Sequence, residues 1–310
     1  MKWRGREESS NIDDQRGQSS GGGFGGGSSP FGRGGGGFRI PTGGGGRSGG
    51  GGLGLLGVVI VLGIIWFATG QNPIEILTNG MNSSSSTPSS SQSVSSADQD
   101  DMRHFVGVVV KDTEDLWTEK FKAIGKTYTK PVIVLFSGQT STACGEADAG
   151  TGPFYCPDDQ KVYIDLAFYD QLRQQFGAPG DFAQGYVLAH EVGHHVQDLL
   201  GVLPEFNRKR QSMSQDEANA YSVRVELQAD CYGGIWANYT KQEGWVENGD
   251  FDEAMTAANA IGDDTLQKEF QGQVVPRSFT HGTSEQRQKW FRAGYKSGNP
   301  ASCDTFSGGI

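Results

Sequence analysis

The run His190-Glu191-Val192-Gly193-His194 constrains this chain of 310 residues more than any other feature. On a helix, residues four apart lie about 40° apart around the axis and one turn apart along it. Two imidazoles so placed reach one metal ion from the same face. The glutamate between them then stands beside the ion, where a carboxylate takes a proton from activated water. Such a string needs a helix around it, and its flanks supply one. Val187, Leu188, Val192, Val196, Leu199 and Leu200 recur at helical spacings. Asp181 reads as the N-cap after the Pro179-Gly180 break, and Gly201 as the C-cap. The competing reading is a core helix whose histidines are merely hydrogen-bonded; the presence of further site residues argues against it.

A catalytic zinc takes three protein ligands and keeps a place for water. The third candidate is Glu226, in a helical stretch from about Ser214 to Tyr239 with Ser214 as N-cap and Asp216 and Glu217 in its first turn. Glu226 and Asp230 are four apart and share a face. Glu226 is read as the metal ligand, and Asp230 as the acceptor for the far ring nitrogen of His190 or His194, fixing its tautomer. Glu217 competes as a carboxylate, but its first-turn position already explains it. A solvated acidic face is the alternative for Glu226 and Asp230, set against the apolar Val223, Val225, Leu227 and Ala229 around them.

With these residues in place the chain resembles a known group. His190-Glu191-x-x-His194 followed by Glu226-x-x-x-Asp230 looks like the gluzincin pattern. Gly152-Pro153-Phe154-Tyr155-Cys156-Pro157, Val162-Tyr163-Ile164-Asp165 and Ser278-Phe279-Thr280-His281-Gly282-Thr283-Ser284 are similar to stretches of the bacterial neutral zinc metallopeptidase family, whose members are membrane-anchored. The likeness runs from about Arg103 to Phe306 and takes in the Gly-rich N-terminus. It implies a zincin-like fold and peptidase chemistry, and no particular substrate.

Residues 1–50 hold long Gly runs and few large apolar side chains, so they are expected to form a disordered tail. Seven basic residues against four acidic ones give this tail +3. Leu53 to Ala68 is almost wholly apolar, and no charge occurs from Ser48 to Ile74. At about 1.5 Å per residue, residues 51–70 just span a hydrocarbon core of about 30 Å. A cleaved signal peptide is the alternative, but the preceding segment is far longer than a usual n-region. The basic residues precede the span, which places the N-terminus in the cytoplasm and the C-terminal part outside, in the periplasm of a Gram-negative host. Residues 71–101, Ser-rich from Asn82 to Ala97, read as a flexible tether. Residues 102–306 suffice for one substantial domain. The whole chain is −10, leaving −13 on residues 51–310, which argues against nucleic acid as a partner of the folded part.

Four cysteines agree with an oxidising compartment. Cys144 could close a short loop with Cys156, and Cys231 could tie to Cys303; four cysteines allow three pairings, and free thiols are the alternative. No C-x-x-C pair points to a cysteine metal site. The coarse fold is α+β. Helices are expected at Trp117–Tyr128, through the His190 and Glu226 segments, at about Phe251–Gly262 and at about Ser284–Lys296; strands are expected at Pro131–Phe136 and Val162–Leu166. The second strand is either the edge of a cleft, where an extended peptide adds as a further strand, or central. His281, in a Gly-flanked loop, is a candidate donor to an oxyanion; alternatively it only adjoins the cap at Thr283 or Ser284. His195 points about 100° away from His194 and reads as structural or exposed. His104 stands alone near the tether.

The sequence thus points to a membrane-anchored zinc peptidase acting on peptides or proteins. Zn²⁺ is held by His190, His194 and Glu226, and Glu191 and His281 act on the substrate. A tethered assembly module with a structural metal, or an interaction protein working through its Gly-rich tail, are the other readings.

Overall fold

The computed structural model describes residues 1–17, 96–148, 151–174 and 176–310. The apolar stretch 51–70 and most of the Ser-rich tether lie outside them. Among the described residues no helix is long and apolar enough to cross a membrane. The chain runs β1 (Ile12–Asp14), α1 (Ser96–Ala123), β2 (Val132–Phe136), the hairpin β3 (Gln139–Thr142) and β4 (Gly145–Asp148), β5 (Phe154–Cys156) and β6 (Lys161–Asp165). Helices α2 (Ala167–Gln174), α3 (Asp181–Leu200), α4 (Val202–Lys209), α5 (Gln215–Gln242), α6 (Asp250–Ala260), α7 (Asp263–Gln271) and α8 (Ser284–Ser297) follow. The arrangement is α+β, with a small sheet at one side of a helical body.

The main sheet has the order β1-β2-β6-β5. β1 and β6 lie parallel to β2, with Ile133 opposite both Ile12 and Val162, and β5 runs antiparallel to β6. Side chains of a strand alternate between faces, and the burial follows that period. Ile133, Leu135, Val162 and Ile164 join the large core beneath the helices. Val134, Phe136 and Tyr163 form a smaller cluster with Phe154, Cys156 and Ala147 of the hairpin. The strand expected at Val162–Leu166 is therefore interior, and β5 forms the sheet's edge.

α3 is buried continuously from Phe182 to Gln197 and packs along α5. Gly193 sets how closely the two can lie: a Cβ there would stand 3.2 Å from the Ala229 carbonyl oxygen. α8 packs backbone-to-backbone on the other side of α5, since a Cβ on Gly294 would fall 1.9 Å from the Cys231 carbonyl oxygen. Ser214 caps α5 in a reciprocal capping box with Glu217. The N-cap of α3 is Gly180 and makes no side-chain cap, which corrects the expectation of Asp181. α1 begins at Ser96 rather than Trp117 and ends at Ala123 rather than Tyr128. Its Val108-Val109-Val110 run is a poor helix signal, but burial of all three against the core outweighs propensity. Ser96 to Asp101, assigned to the tether, belong to this helix.

The larger correction concerns the tail. Residues 1–17, expected to be disordered, are an integral part of the domain. Met1 and Trp3 are buried in the main core. The Met1 ammonium lies on Asp181 and Asp250, and the Trp3 indole donates to Asp181 at 3.0 Å. Arg6 stacks over the Trp245 ring, 3.2 Å from its centroid, and pairs with Asp112. Ser9 and Asn11 both donate to the buried Glu114, each at 2.6 Å, and Glu8 meets Arg103 and His104. His104 thus has a partner. Residues 12–14 then complete the sheet as β1. A composition averaged over fifty Gly-rich residues hides a short segment whose few large side chains each meet a fixed partner. This docking also bears on topology. A strand hydrogen-bonded into a domain lies on the same side of a bilayer as that domain, so a single crossing between residues 17 and 96 would separate two halves of one sheet. On that footing residues 1–17 and the domain are expected on one side of any bilayer, an expectation that labelling can test.

Trp3→Ala should lower the unfolding free energy by about 3 kcal/mol, read from thermal or denaturant unfolding; a change within about 0.5 kcal/mol would mean that the segment does not dock in solution. Every cysteine of the described domain is in a disulfide. Single cysteines placed at Glu7 and at the exposed Ile124 should therefore be labelled together, or not at all, by a membrane-impermeant maleimide on intact cells.

Candidate metal centre

α3 presents His190 and His194 one turn apart, their ring centroids 4.8 Å from each other. α5 brings Glu226 up to them from the facing helix. One carboxylate oxygen lies 3.2 Å from His190 Nε2 and the other 3.4 Å from His194 Nε2. All three side chains are buried, and one ligand atom from each falls within 4.8 Å of the others. Two imidazole nitrogens and a carboxylate, gathered in a buried site, form a donor set that suits a zinc ion. The electrostatics show the same demand for positive charge. Burial opposes charging of His190, yet Asp230 and Glu226 overcome it and lift its pKa to about 10. Burial likewise opposes ionisation of Glu226, but the facing histidines hold it well below the usual carboxylate range.

Glu191 lies beside this group without joining it. It is 5% exposed, and its Oε2 is without a hydrogen-bond partner among the described residues. Burial pushes its carboxyl pKa upward, against the charges of His194 and His190 and a backbone hydrogen bond from Tyr155. That bond places the edge strand β5 alongside the carboxylate. A buried acid raised in pKa, with an oxygen unpartnered among the described residues and His190, His194 and Glu226 close enough to act on its charge, has the properties that proton exchange requires.

Asp230, one turn along α5 from Glu226, accepts from His190 Nδ1 at 2.9 Å. Its two oxygens also receive the Arg287 guanidinium in a bidentate pair, at 2.9 and 2.8 Å, and the Tyr186 hydroxyl at 2.5 Å. Burial disfavours the charged form here, but Arg287 and His190 win and bring the pKa to about 2. His194 is held differently, through Nδ1 to the Gln197 side chain at 2.8 Å. His281 stands across from Glu226, close enough for each to feel the other's charge. Its Nδ1 meets Asp263 at 3.1 Å, and the other oxygen of Asp263 accepts the backbone N–H groups of Thr280, His281 and Gly282. Thr283 separately caps α8 in a box with Gln286, so the loop position and the cap coexist. His195 is fully buried, bonded to the Thr129 carbonyl at 2.6 Å and to the Tyr155 hydroxyl at 3.2 Å. Glu217 is taken up by its cap and stays outside the cluster.

Two disulfides flank the centre. Cys144–Cys156 holds the end of β5, and Cys231–Cys303 joins α5, one residue past Asp230, to the C-terminal segment. Tyr186, Gln197, Asp263 and Arg287 were not legible as site residues beforehand. Tyr186 and Gln197 fall on a helix already assigned to the core, four residues before His190 and three after His194, and that spacing was the only available signal. Asp263 and Arg287 lie far along the chain from their partners and carried none.

The family model described as "Putative neutral zinc metallopeptidase" matches residues 1–306. The chain is 47% identical to "Uncharacterized protein YpfJ" of Escherichia coli strain K12 over 315 aligned positions, covering the whole of both chains. It is 45% identical over 218 positions to "Uncharacterized protein Rv2575" of Mycobacterium tuberculosis, covering 67% of this chain and 73% of the other. No solved structure matches.

Replacing Arg287 with Met should leave the Asp230 carboxylate buried without its cation. Unfolding measurements should show a loss of about 3–5 kcal/mol; a loss below about 1 kcal/mol would mean that water reaches this pair and that it is not the brace described.

Proposed function

Starting from a chain that belongs to the putative neutral zinc metallopeptidase family, we propose that it is a zinc-dependent peptidase of zincin-like fold. His190, His194 and Glu226 hold the ion. Zinc supplies Lewis acidity, which brings the pKa of water towards neutrality and polarises a carbonyl. The protein's own groups supply the rest. Glu191 accepts the proton of the attacking water through its free oxygen and hands it to the leaving amine. Its raised pKa suits a group that must both take and release a proton near neutrality. His281, oriented by Asp263, donates to the oxygen that gains charge as the carbonyl becomes tetrahedral. Asp230 fixes His190, with Arg287 and Tyr186 holding Asp230 in turn.

The single observation that favours an enzyme over a structural metal site is the unpartnered Oε2 of Glu191. A buried carboxylate oxygen without a hydrogen bond costs stability. A metal that only braces the fold gives no return for that cost, whereas a general base needs the oxygen free. The substrate we propose is an extended peptide lying along β5, whose outer edge pairs with no other strand among the described residues. The two disulfides support an oxidising compartment. Attachment to a membrane would come from residues 51–70, and the paired labels at Glu7 and Ile124 read on which side of it residues 1–17 and the domain lie. The negative balance of residues 51–310 speaks against nucleic acid as a substrate.

The full chain should contain about one zinc per molecule and cleave members of a mixed peptide library in a chelator-sensitive way. Glu191→Gln should keep the zinc and lose cleavage by 10²-fold or more, while Glu226→Ala should lose both. Zinc-loaded wild type that cleaves nothing in the library, or a Glu191→Gln variant as active as wild type, would overturn the assignment.

A further inference from the structure

His194 differs from His190 in what holds it. No carboxylate faces its Nδ1; the side-chain amide oxygen of Gln197 does, at 2.8 Å. An amide can be turned end for end, so the orientation has to be argued. Here neighbours of fixed polarity decide it. Gln197 Nε2 lies 2.7 Å from the Val225 carbonyl and 3.0 Å from Gln228 Oε1. Gln228 Nε2 in turn lies 3.0 Å from the Cys303 carbonyl. Backbone carbonyls only accept. Turning Gln228 would set its oxygen against the Cys303 carbonyl and its amino group against that of Gln197. Turning Gln197 as well would set its oxygen against the Val225 carbonyl. The direction is therefore set from two carbonyls inward, and the relay ends with an oxygen on His194 Nδ1. Gln197 is fully buried and Gln228 8% exposed, so water offers no easy substitute.

We infer that Gln197 and Gln228 are positioning residues for the proposed metal centre: they hold His194 in the Nδ1–H tautomer, leaving the Nε2 lone pair turned towards Glu226. The relay starts on the main chain of Cys303, which the disulfide to Cys231 fastens to the same helix that carries Glu226 and Asp230. The two histidine ligands are thus oriented by different devices. His190 has a charged one, the carboxylate of Asp230 clamped by Arg287. His194 has a neutral one, which ends on a carbonyl held by a covalent crosslink. Gln228 touches neither histidine, yet together with the Val225 carbonyl it sets which end of Gln197 faces the ring.

This inference rests on the zinc reading, and its test separates the two. Zinc affinity of the full chain is measured by competition with a chromophoric chelator. Gln228→Met removes the acceptor for Gln197 and should weaken zinc binding 10-fold or more, the usual cost of losing an outer-shell partner. Gln228→Glu should bind zinc within about threefold of wild type. A carboxyl oxygen at that place still accepts from Gln197 Nε2. A merely structural amide would lower thermal stability in both variants without separating their zinc affinities. Equal zinc affinity for Gln228→Met, Gln228→Glu and wild type would overturn the relay while leaving the metal centre intact. Wild type that binds no zinc would instead overturn the reading beneath it. Should Gln228→Met not fold, ¹⁵N NMR of the zinc-loaded wild type decides. A proton on His194 Nδ1 is expected, and coordination through Nδ1 would refute the relay.

Discussion

The centre depends on how closely two helices approach. His190 and His194 share one face of α3, but a pair of imidazoles on one helix is only half a site. The carboxylate has to come from α5, and the reach of a glutamate is short. Gly193, between the two histidines, lets the backbones close to the distance at which Glu226 bridges both rings. An added methyl group there would press on the main chain of Ala229, which has no flexible end to move aside. The small residue within the motif is thus explained by helix packing, while the histidines are explained by chemistry.

Closing that gap buries charge, and the fold answers with further charge. Glu226, Asp230, His190 and Arg287 all lie within the interior. Taken singly, each would be expelled or neutralised. Together they form a continuous set in which Arg287 offsets Asp230, and Asp230 and Glu226 favour a positive charge at the histidines. The remaining negative character is centred on Glu226. Arg287 reaches Asp230 because α8 packs against α5 with no side chain between their backbones at Gly294. Close packing on both faces of α5 is what allows one helix to bring Glu226 to the two histidines and Asp230 to Arg287.

The parts of this arrangement that are local in sequence were legible, and the parts built by contact were not. An i, i+4 pair and a capping box are periodic signals, so the His190–His194 helix, the Glu226–Asp230 face and the Ser214 start of α5 could be read off directly. So could the strand content at Val132–Phe136. What escaped has no such period. Asp263 acts on His281 from 18 residues earlier, and Arg287 reaches Asp230 across 57 positions. β5 is three residues long and carries its meaning only through its place at the edge. The first part of α1 was missed because its valines favour extended structure in isolation, and only the core they enter makes them helical.

The N-terminal segment shows the limit of averages most clearly. Over residues 1–50 the composition describes a chain that cannot bury a core. Yet Met1, Trp3, Arg6, Ser9, Asn11 and Ile12 each meet a specific group, and together they link α1, the start of α3, the start of α6 and the edge of the sheet. Asp181, which local grammar marks as a helix cap, is instead the anchor for the Met1 ammonium and the Trp3 indole. Charge-based orientation rules treat basic residues before an apolar stretch as free to remain on one side. Here Arg6 lies against Trp245 and Asp112, and Arg16 is paired with Asp14 within the docked segment. Those two side chains are engaged in a folded interface, whereas Arg33, Arg39 and Arg47 lie outside the described residues.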